Sequence, residues 1–422
     1  MMIAEILATG DEIRTGALVD SNSAYVAELL VHSGVEVARH QSIGDDLRAL
    51  SQIIVEISSR ADIAIVTGGL GPTVDDRTAE AAADAAGVDL KLDQRALDDI
   101  THFFNERGKP ISSTNRKQAL IPQGGNALYN PVGTAPGFSL KIQRCTFFCL
   151  PGVPHEMKQM FNNKVLPEIE KMQGGTRQFS LVHTISTFGL PESVVDEKVA
   201  PITRDFPDIT LGLRAKFPEI QVKFYLRTSN ERQGRSILEK ADLWACQQLG
   251  HYIFSNTGGT MAQEVGRLLL ARGATLSVAE SCTGGLIGNW LTNTAGSSDY
   301  FRLSAVTYHN HAKMAVLGVS EQILVDYGAV HETTAGQMAE GARRAGDSHF
   351  GLATTGIAGP GGGSAEKPVG TVCIGLATPE TTVTRKFHFR FGRRLMNKRI
   401  FAMAALDMLR RHLIEEDSSH QL

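Results

Sequence analysis

Along the 422 residues the spacing of hydrophobic and polar positions changes period repeatedly. Short apolar runs stand at 3–10 (IAEILATG), 35–44 (VEVARHQSIG), 61–69 (ADIAIVTGG) and 145–152 (CTFFCLPG). Between them, SNSAYVAELLVHSG, LRALSQIIVEISSR and RTAEAAADAAG repeat apolar residues every three or four positions. The runs predict strands and the longer period predicts amphipathic helices, so residues 1–172 read as βαβ units. IAIV and FFCL are nearly all apolar, as strands become when both faces of a parallel sheet are covered. Three runs end in a glycine-containing turn, and ligands of such sheets gather at those carboxyl ends.

The pattern then changes. FSLVHTISTFG, TLGLRAKF and EIQVKFYLRTSN predict strands, with helices ESVVDEKVAPI and RSILEKADLWACQQL among them. We therefore expect a small α+β module over 173–255, set off from the first near MQGGTRQ. A third, α/β module is expected over 256–416. Its strands would be LSVA, AVTYH, FGLATTG and GTVCIGLA, and its helices include MNKRIFAMAALDMLRRHL. The tail EEDSSHQL is expected to fray.

Composition narrows the classes. With 42% hydrophobic and 21% charged residues, the chain is that of a globular protein too long for a single core. A net charge of −3 gives no global electrostatic reason to bind nucleic acid or membrane. No apolar stretch is long enough to span a bilayer. MMIAEILATGDE lacks a basic n-region, so we expect no signal peptide and a cytoplasmic location. The five cysteines are odd in number and show no zinc-ligand spacing. Cys145 and Cys149 share one face of a strand, where packed thiols are expected rather than a disulfide.

Three glycine-rich or polar turns carry candidate chemistry. In VTGGLGPTVDDRTAE (66–80), Gly68, Gly69 and Gly71 let the backbone approach a ligand, and the following helix amides favour an anion. The spacing is neither Rossmann nor P-loop. Asp75 and Asp76 either cap that helix or hold a cation such as Mg²⁺, which a phosphate beside them would require. In AESCTGG (279–285), Glu280, Ser281 and Thr283 could cap a helix, Cys282 could be a thiol nucleophile, or Ser281 a hydroxyl one. A serine needs a base, and Tyr308, His309, His311 and Lys313 follow in the next turn. In TTGIAGPGGGSAEKPVG (354–370), successive amides can cradle an anion, and Pro360 and Pro368 argue for a shaped loop. Arg393, Arg394, Lys398 and Arg399 crowd the start of the last helix, where solvent or an anionic ligand must offset them.

Together GDE, VDSN, TGGLGPTVDDRT, NRKQA, NPVGTAPG, LPGVPHEMK, AESCTGG and the YxNxAK motif resemble the CinA family, in order and over nearly the whole chain. The resemblance implies a molybdopterin-binding-like three-layer α/β/α domain, a KH-like middle domain and a nicotinamide-nucleotide amidase domain. It implies that the last domain deamidates nicotinamide mononucleotide, with Ser281 as nucleophile, Lys313 as base and Tyr308 as its hydrogen-bonding partner. Amides around Thr283 and Gly284 would bind the oxyanion, and Asn310 belongs to the motif. Thr355, Gly356, Gly359 and Gly362 would hold the phosphate with Arg394 and Arg399, although Arg393 replaces the acid of the family's FPGDR. For the first domain it implies hydrolysis of ADP-ribose to AMP and ribose 5-phosphate with a divalent metal. The substrate would lie at Asp11, Gly68, Gly69, Gly71, Thr73, Lys117, Gly133 and Gly152, and the metal at Asp75, Asp76 and Glu156. No cofactor is implied for the amidase domain. A homodimer is expected. The middle domain lacks the GxxG loop of RNA-binding KH domains, so a spacer or dimerising role is expected and no nucleic acid. The competing class is a molybdopterin-like ligand carrier or competence-associated scaffold without N-terminal catalysis.

Overall fold

The computed structural model describes residues 2–174 and 179–419, side chains to 415. Most of the MQGGTRQ junction and the end of the tail lie outside the described residues. The chain divides into two compact units, one of residues 1–182 and 226–235, the other of 183–225 and 236–422.

The first unit is built on a six-stranded sheet. Its strands are β1 (Ile3–Thr9), β2 (Glu36–Ile43), β3 (Ile63–Thr67), β4 (Asn126–Leu128), β5 (Gly137–Ile142) and β6 (Cys145–Leu150), in the order β2-β1-β3-β6-β5-β4. The first four in that order run parallel, and β5 and β4 are antiparallel additions. Strand alternation sends Ile63 and Ile65 to one apolar layer and Ala64 and Val66 to the other, so every residue of β3 is buried. Helices α1 (Ser21–His32) and α2 (Leu47–Arg60) start where Asp20 and Asp46 accept from the Ser23 and Ala49 amides, each at 2.9 Å. Helix α3 (Thr78–Ala86) follows the 68–77 turn, and α4 (Pro154–Met160) opens with proline. The chain leaves β1 to both sides, so a switch point opens at the carboxyl ends of β1, β3 and β6.

The second unit holds one sheet whole and most of a second, smaller one. The smaller orders β8-β9-β7-β10, from β7 (Phe179–Thr187), β8 (Ile209–Lys216), β9 (Glu219–Thr228) and β10 (Ile253–Ser255). The larger comprises β11 (Leu276–Glu280), β12 (Phe301–Val306), β13 (Phe350–Gly356), β14 (Thr371–Ala377) and β15 (Thr382–His388), ordered β12-β11-β13-β14-β15. Here β12, β11 and β13 are parallel, and a second switch point falls at their carboxyl ends. One face buries Leu276, Val278, Leu352 and Ile374 under α5 (Met261–Ala271) and α9 (Arg394–Ser419). The other carries small residues. Gly351 and Gly375 have no room for a Cβ because carbonyls of Ala339 and Ala335, on α8 (Glu332–Ala345), sit directly on them. All five cysteines are unpaired, Cys145 and Cys149 buried in β6. No described helix is long and apolar enough to cross a membrane.

Candidate active site

The AESCTGG turn leaves β11 at the second switch point. The Ser281 amide donates to the Thr354 carbonyl at 2.9 Å, fixing the serine against the end of β13. Gly284 and Gly285 take φ of +62° and +88°, which residues with a Cβ rarely adopt, and α6 (Leu286–Thr292) begins directly after them. The helix is capped, but not by Ser281 or Thr283. The buried Glu280 carboxylate accepts from the Ile287 and Gly288 amides at 3.1 and 2.9 Å. Thr283 pairs with the Thr354 hydroxyl at 2.8 Å. Ser281 is thereby left to other chemistry. Glu280→Ala should lower stability by ~2–4 kcal/mol, since two buried donors lose their acceptor. A urea midpoint equal to that of the parent chain would refute this role.

Cys282 points the other way. It is 4% exposed in the layer that holds Val278 and Ile287, and burial pushes its thiol up to about 12.

Lys313 comes from α7 (Asn310–Leu317), entered from the end of β12. The His309 ring accepts from the His311 amide at 3.2 Å and so caps this helix, while Lys313 one turn on is fully buried. Its Nζ lies 3.2 Å from Ser281 Oγ, 2.9 Å from the Thr307 carbonyl and 3.1 Å from the Tyr308 carbonyl. Burial pushes the Lys313 ammonium below the ordinary lysine range. Tyr308 therefore partners Lys313 through its backbone and not its phenol. That ring is 61% exposed, and its hydroxyl accepts from Arg394 at 3.0 Å. Arg394 also donates to the Gly359 carbonyl at 2.7 Å, so it clamps the 354–370 loop to Tyr308. Asn310 is exposed at the helix start.

The other expected contacts sort out less evenly. Of the two amides expected for an oxyanion, that of Gly284 already donates to the Ser281 carbonyl at 3.2 Å. The Thr355 hydroxyl is buried on the Ala329 carbonyl at 2.6 Å, and Gly356 packs against the Thr371 carbonyl. Both shape the loop rather than face the serine. Gly359 and Gly362 take φ of +82° and +86° within it. Arg399 lines a different cavity. Its neighbour Lys398 is the cation at the turn, where a Cβ on Gly284 would stand 3.3 Å from its Nζ. Asn397, buried, ties the Ala358 and Phe391 carbonyls at 3.0 and 2.9 Å. Sequence reading left out Asn397, named Glu280 only as one of three possible caps, and counted Lys398 only as one of a cluster.

In the first unit a cavity of 420 Å³ occupies the switch point, lined by Gly68, Gly69, Gly71 and Gly152. Glu12, Asp20, Asp45, Asp75, Asp76 and Glu156 also line it, with no lysine, arginine or histidine among the described lining residues. Burial first, then Asp11, Glu12 and Asp75, push the Asp45 carboxyl up. Neither aspartate caps α3, whose N-cap Arg77 makes no side-chain cap bond. Asp76 instead accepts from the Thr73 amide at 2.8 Å, closing the turn. Lys117 holds the Asp76 carbonyl at 2.8 Å and Glu80 at 3.4 Å. Asp11 pairs with Arg14 at 3.0 Å, and Asp11, Thr73, Lys117 and Gly133 all lie outside the lining. Gly133 packs on the Glu156 carboxylate, which also accepts from Asn130 at 2.7 Å. Asp75, Asp76 and Glu156 thus share a cavity, yet no group of three potential ligand side chains converges among the described residues. They do not fit a preassembled metal centre. Asn22 was missed by sequence reading. It donates to the Gly152 carbonyl at 2.8 Å, and its buried Oδ1 is left without a partner.

Comparison with known proteins covers the chain in three stretches. Residues 5–171 match the family described as "Probable molybdopterin binding domain", 182–255 "Damage-inducible protein CinA KH domain" and 259–413 "CinA C-terminal domain". The chain is 48% identical to a CinA-like protein of Desulfosudis oleivorans over 98% of its length and 100% of the relative's. It is 47% identical to a CinA-like protein of Desulforapulum autotrophicum over 99% and 100%. A solved competence/damage inducible protein from Agrobacterium tumefaciens is 40% identical over 36% of this chain and 94% of that one, with a TM-score of 0.34.

Proposed function

The chain belongs to the CinA family, and on that premise we propose that its C-terminal module hydrolyses nicotinamide mononucleotide to nicotinate mononucleotide and ammonia through a Ser281 acyl-enzyme. The observation that carries this reading is the buried Lys313 amine 3.2 Å from Ser281 Oγ. A neutral amine has two N–H donors and one lone pair. The Thr307 and Tyr308 carbonyls take the two donors, which turns the lone pair toward the serine hydroxyl. Burial, with carbonyl and hydroxyl partners in place of a carboxylate, keeps the amine unprotonated at lower pH than an ordinary lysine.

Ser281 Oγ bonds to the carboxamide carbon as its proton passes to Lys313 Nζ. The carbon–nitrogen bond breaks as Lys313 returns that proton to the departing ammonia. Water then attacks the ester, with Lys313 again taking a proton, and the carboxylate leaves as Ser281 is restored. In this reading the Thr283 amide receives the oxyanion, since the Gly284 amide is already taken by the Ser281 carbonyl. Lys398 supplies positive charge beside the turn, and the loop clamped by Arg394 is the platform for the substrate's phosphate. The test is ammonia release from nicotinamide mononucleotide by the full chain, with free nicotinamide as comparison. Equal turnover of the two would remove the phosphate from the reading, and no turnover of either would remove the amidase.

For the first unit we propose hydrolysis of ADP-ribose in the cavity at its switch point. The glycine turn 68–71 on one wall supports this reading, as does the unpartnered Asn22 acceptor, suited to a ribose hydroxyl, on another. The six carboxylates weigh toward a reaction that depends on added divalent cations. Asp75→Ala should lower ADP-ribose turnover by ~10-fold or more with no change in unfolding, a rise of about 1.4 kcal/mol in the barrier. Asp76→Ala should lower both turnover and stability, because the Thr73 amide loses its acceptor. Both variants are to be assayed across a divalent-ion titration of phosphate-ester product. Wild-type turnover in both, or none in the parent chain, would return the unit to a ligand-binding role.

A further inference from the structure

The second unit carries a pocket of 380 Å³, open to solvent on the side of the exposed Arg399, that the amidase chemistry does not use. Its aromatic walls are Phe217, from the β8–β9 turn, and Trp290, from the far end of α6. Phe217 is held edge-on to Phe391 at 4.9 Å between centroids. Met403 adds a polarisable thioether. The charges are unbalanced. Glu219 is paired with Lys216 at 2.8 Å, whereas Arg399 makes no ion pair or hydrogen bond among the described residues.

A volume of this order suits a small organic ligand. Aromatic walls favour a planar ring, and an unpaired guanidinium beside them favours a carboxylate or phosphate held by two parallel hydrogen bonds. We propose that this cavity is a second ligand site, taking a planar aromatic anion with its ring against Trp290 and Phe217 and its charge on Arg399, and that occupancy tunes the amidase. The coupling runs through two short elements. Trp290 lies on α6, whose Ile287 and Gly288 amides are held by Glu280 next to the nucleophile. Arg399 follows Lys398, the cation beside Gly284. An occupant therefore touches both elements that bracket the Ser281 turn. The binding half of the proposal is independent of the amidase reading, and only the tuning half rests on it.

The chain has two tryptophans, Trp244 and Trp290, so Trp244→Phe leaves Trp290 as the sole indole emitter. The full chain in that background is titrated with benzoate, and with benzamide as its neutral counterpart. Benzoate is expected to change Trp290 emission saturably and to bind about 10-fold more tightly than benzamide, the scale of one charge-assisted contact. Arg399→Met is expected to erase that preference, and Lys398→Met to leave it intact. Emission that does not saturate, equal binding of acid and amide, or a preference that follows Lys398 instead of Arg399 would overturn the site. In the amidase assay, saturating benzoate is expected to shift kcat in the parent chain and not in Arg399→Met. A rate unmoved in the parent would overturn the tuning. Because the fluorescence measurement uses no substrate, loss of the amidase reading would leave the binding result standing.

Discussion

Ser281→Ala is expected to lower kcat/KM for nicotinamide mononucleotide by ~10³-fold or more, whereas Cys282→Ala should keep it within a few-fold. The two residues are neighbours in sequence and opposite in environment. Ser281 lies within hydrogen-bond reach of an amine, and its turn is held by the Thr354 carbonyl. Cys282 is closed into an apolar layer with its thiol pushed up to about 12, so attack by sulfur would need both exposure and a lost proton. Ammonia release by the two variants, each checked for folding, decides the matter. Activity that survives the serine change and vanishes with the cysteine change would reverse the assignment.

Lys313→Met is expected to cost a comparable ~10³-fold, because the serine then has no group within reach to take its proton. The parent chain should show an acid limb set by Lys313. The amine acts only when unprotonated, and burial lowers its pKa from the ordinary 10.5. Activity should thus hold at pH values below 10.5 and fall about tenfold per pH unit once the pH drops through the lowered value. The same shift has a stability counterpart. The contribution of the neutral amine is present in full above 10.5 and is lost as pH falls through the folded-state value. An acid limb at the ordinary lysine position, or one that persists in Lys313→Met, would separate Lys313 from the chemistry.

Much of the architecture was legible because it is periodic. The all-apolar IAIV announced a strand covered on both faces, and Ile63, Ala64, Ile65 and Val66 divide between two layers as alternation requires. Strand order was not legible, since pairing β1 between β2 and β3 is a non-local event that leaves no local mark. At the site, the spacing of Ser281 and Lys313 could be read through a family resemblance, but their contact depends on two turns meeting at a sheet edge. Glu280 was readable as one of three cap candidates, but not which of them caps, because its carboxylate reaches amides seven and eight residues downstream, outside the usual N-cap spacing. Tyr308 was expected as the partner of Lys313 with no atom assigned: which group meets the amine, here the carbonyl, depends on the direction of the turn. Lys398 and Arg399 were indistinguishable as letters, yet adjacent residues on a helix diverge by about 100°, and they serve different cavities. Lys117 and Asp11 carry the charges expected of ligands, but their present partners could not be read: Lys117 holds the Asp76 carbonyl and Asp11 pairs with Arg14.

The orientation of Cys282 reaches beyond the choice of nucleophile. Sulfenic acid formation and alkylation both begin from an accessible thiolate, and this sulfur is neither accessible nor ionised near neutral pH. Peroxide or iodoacetamide would therefore find no reactive sulfur next to Ser281.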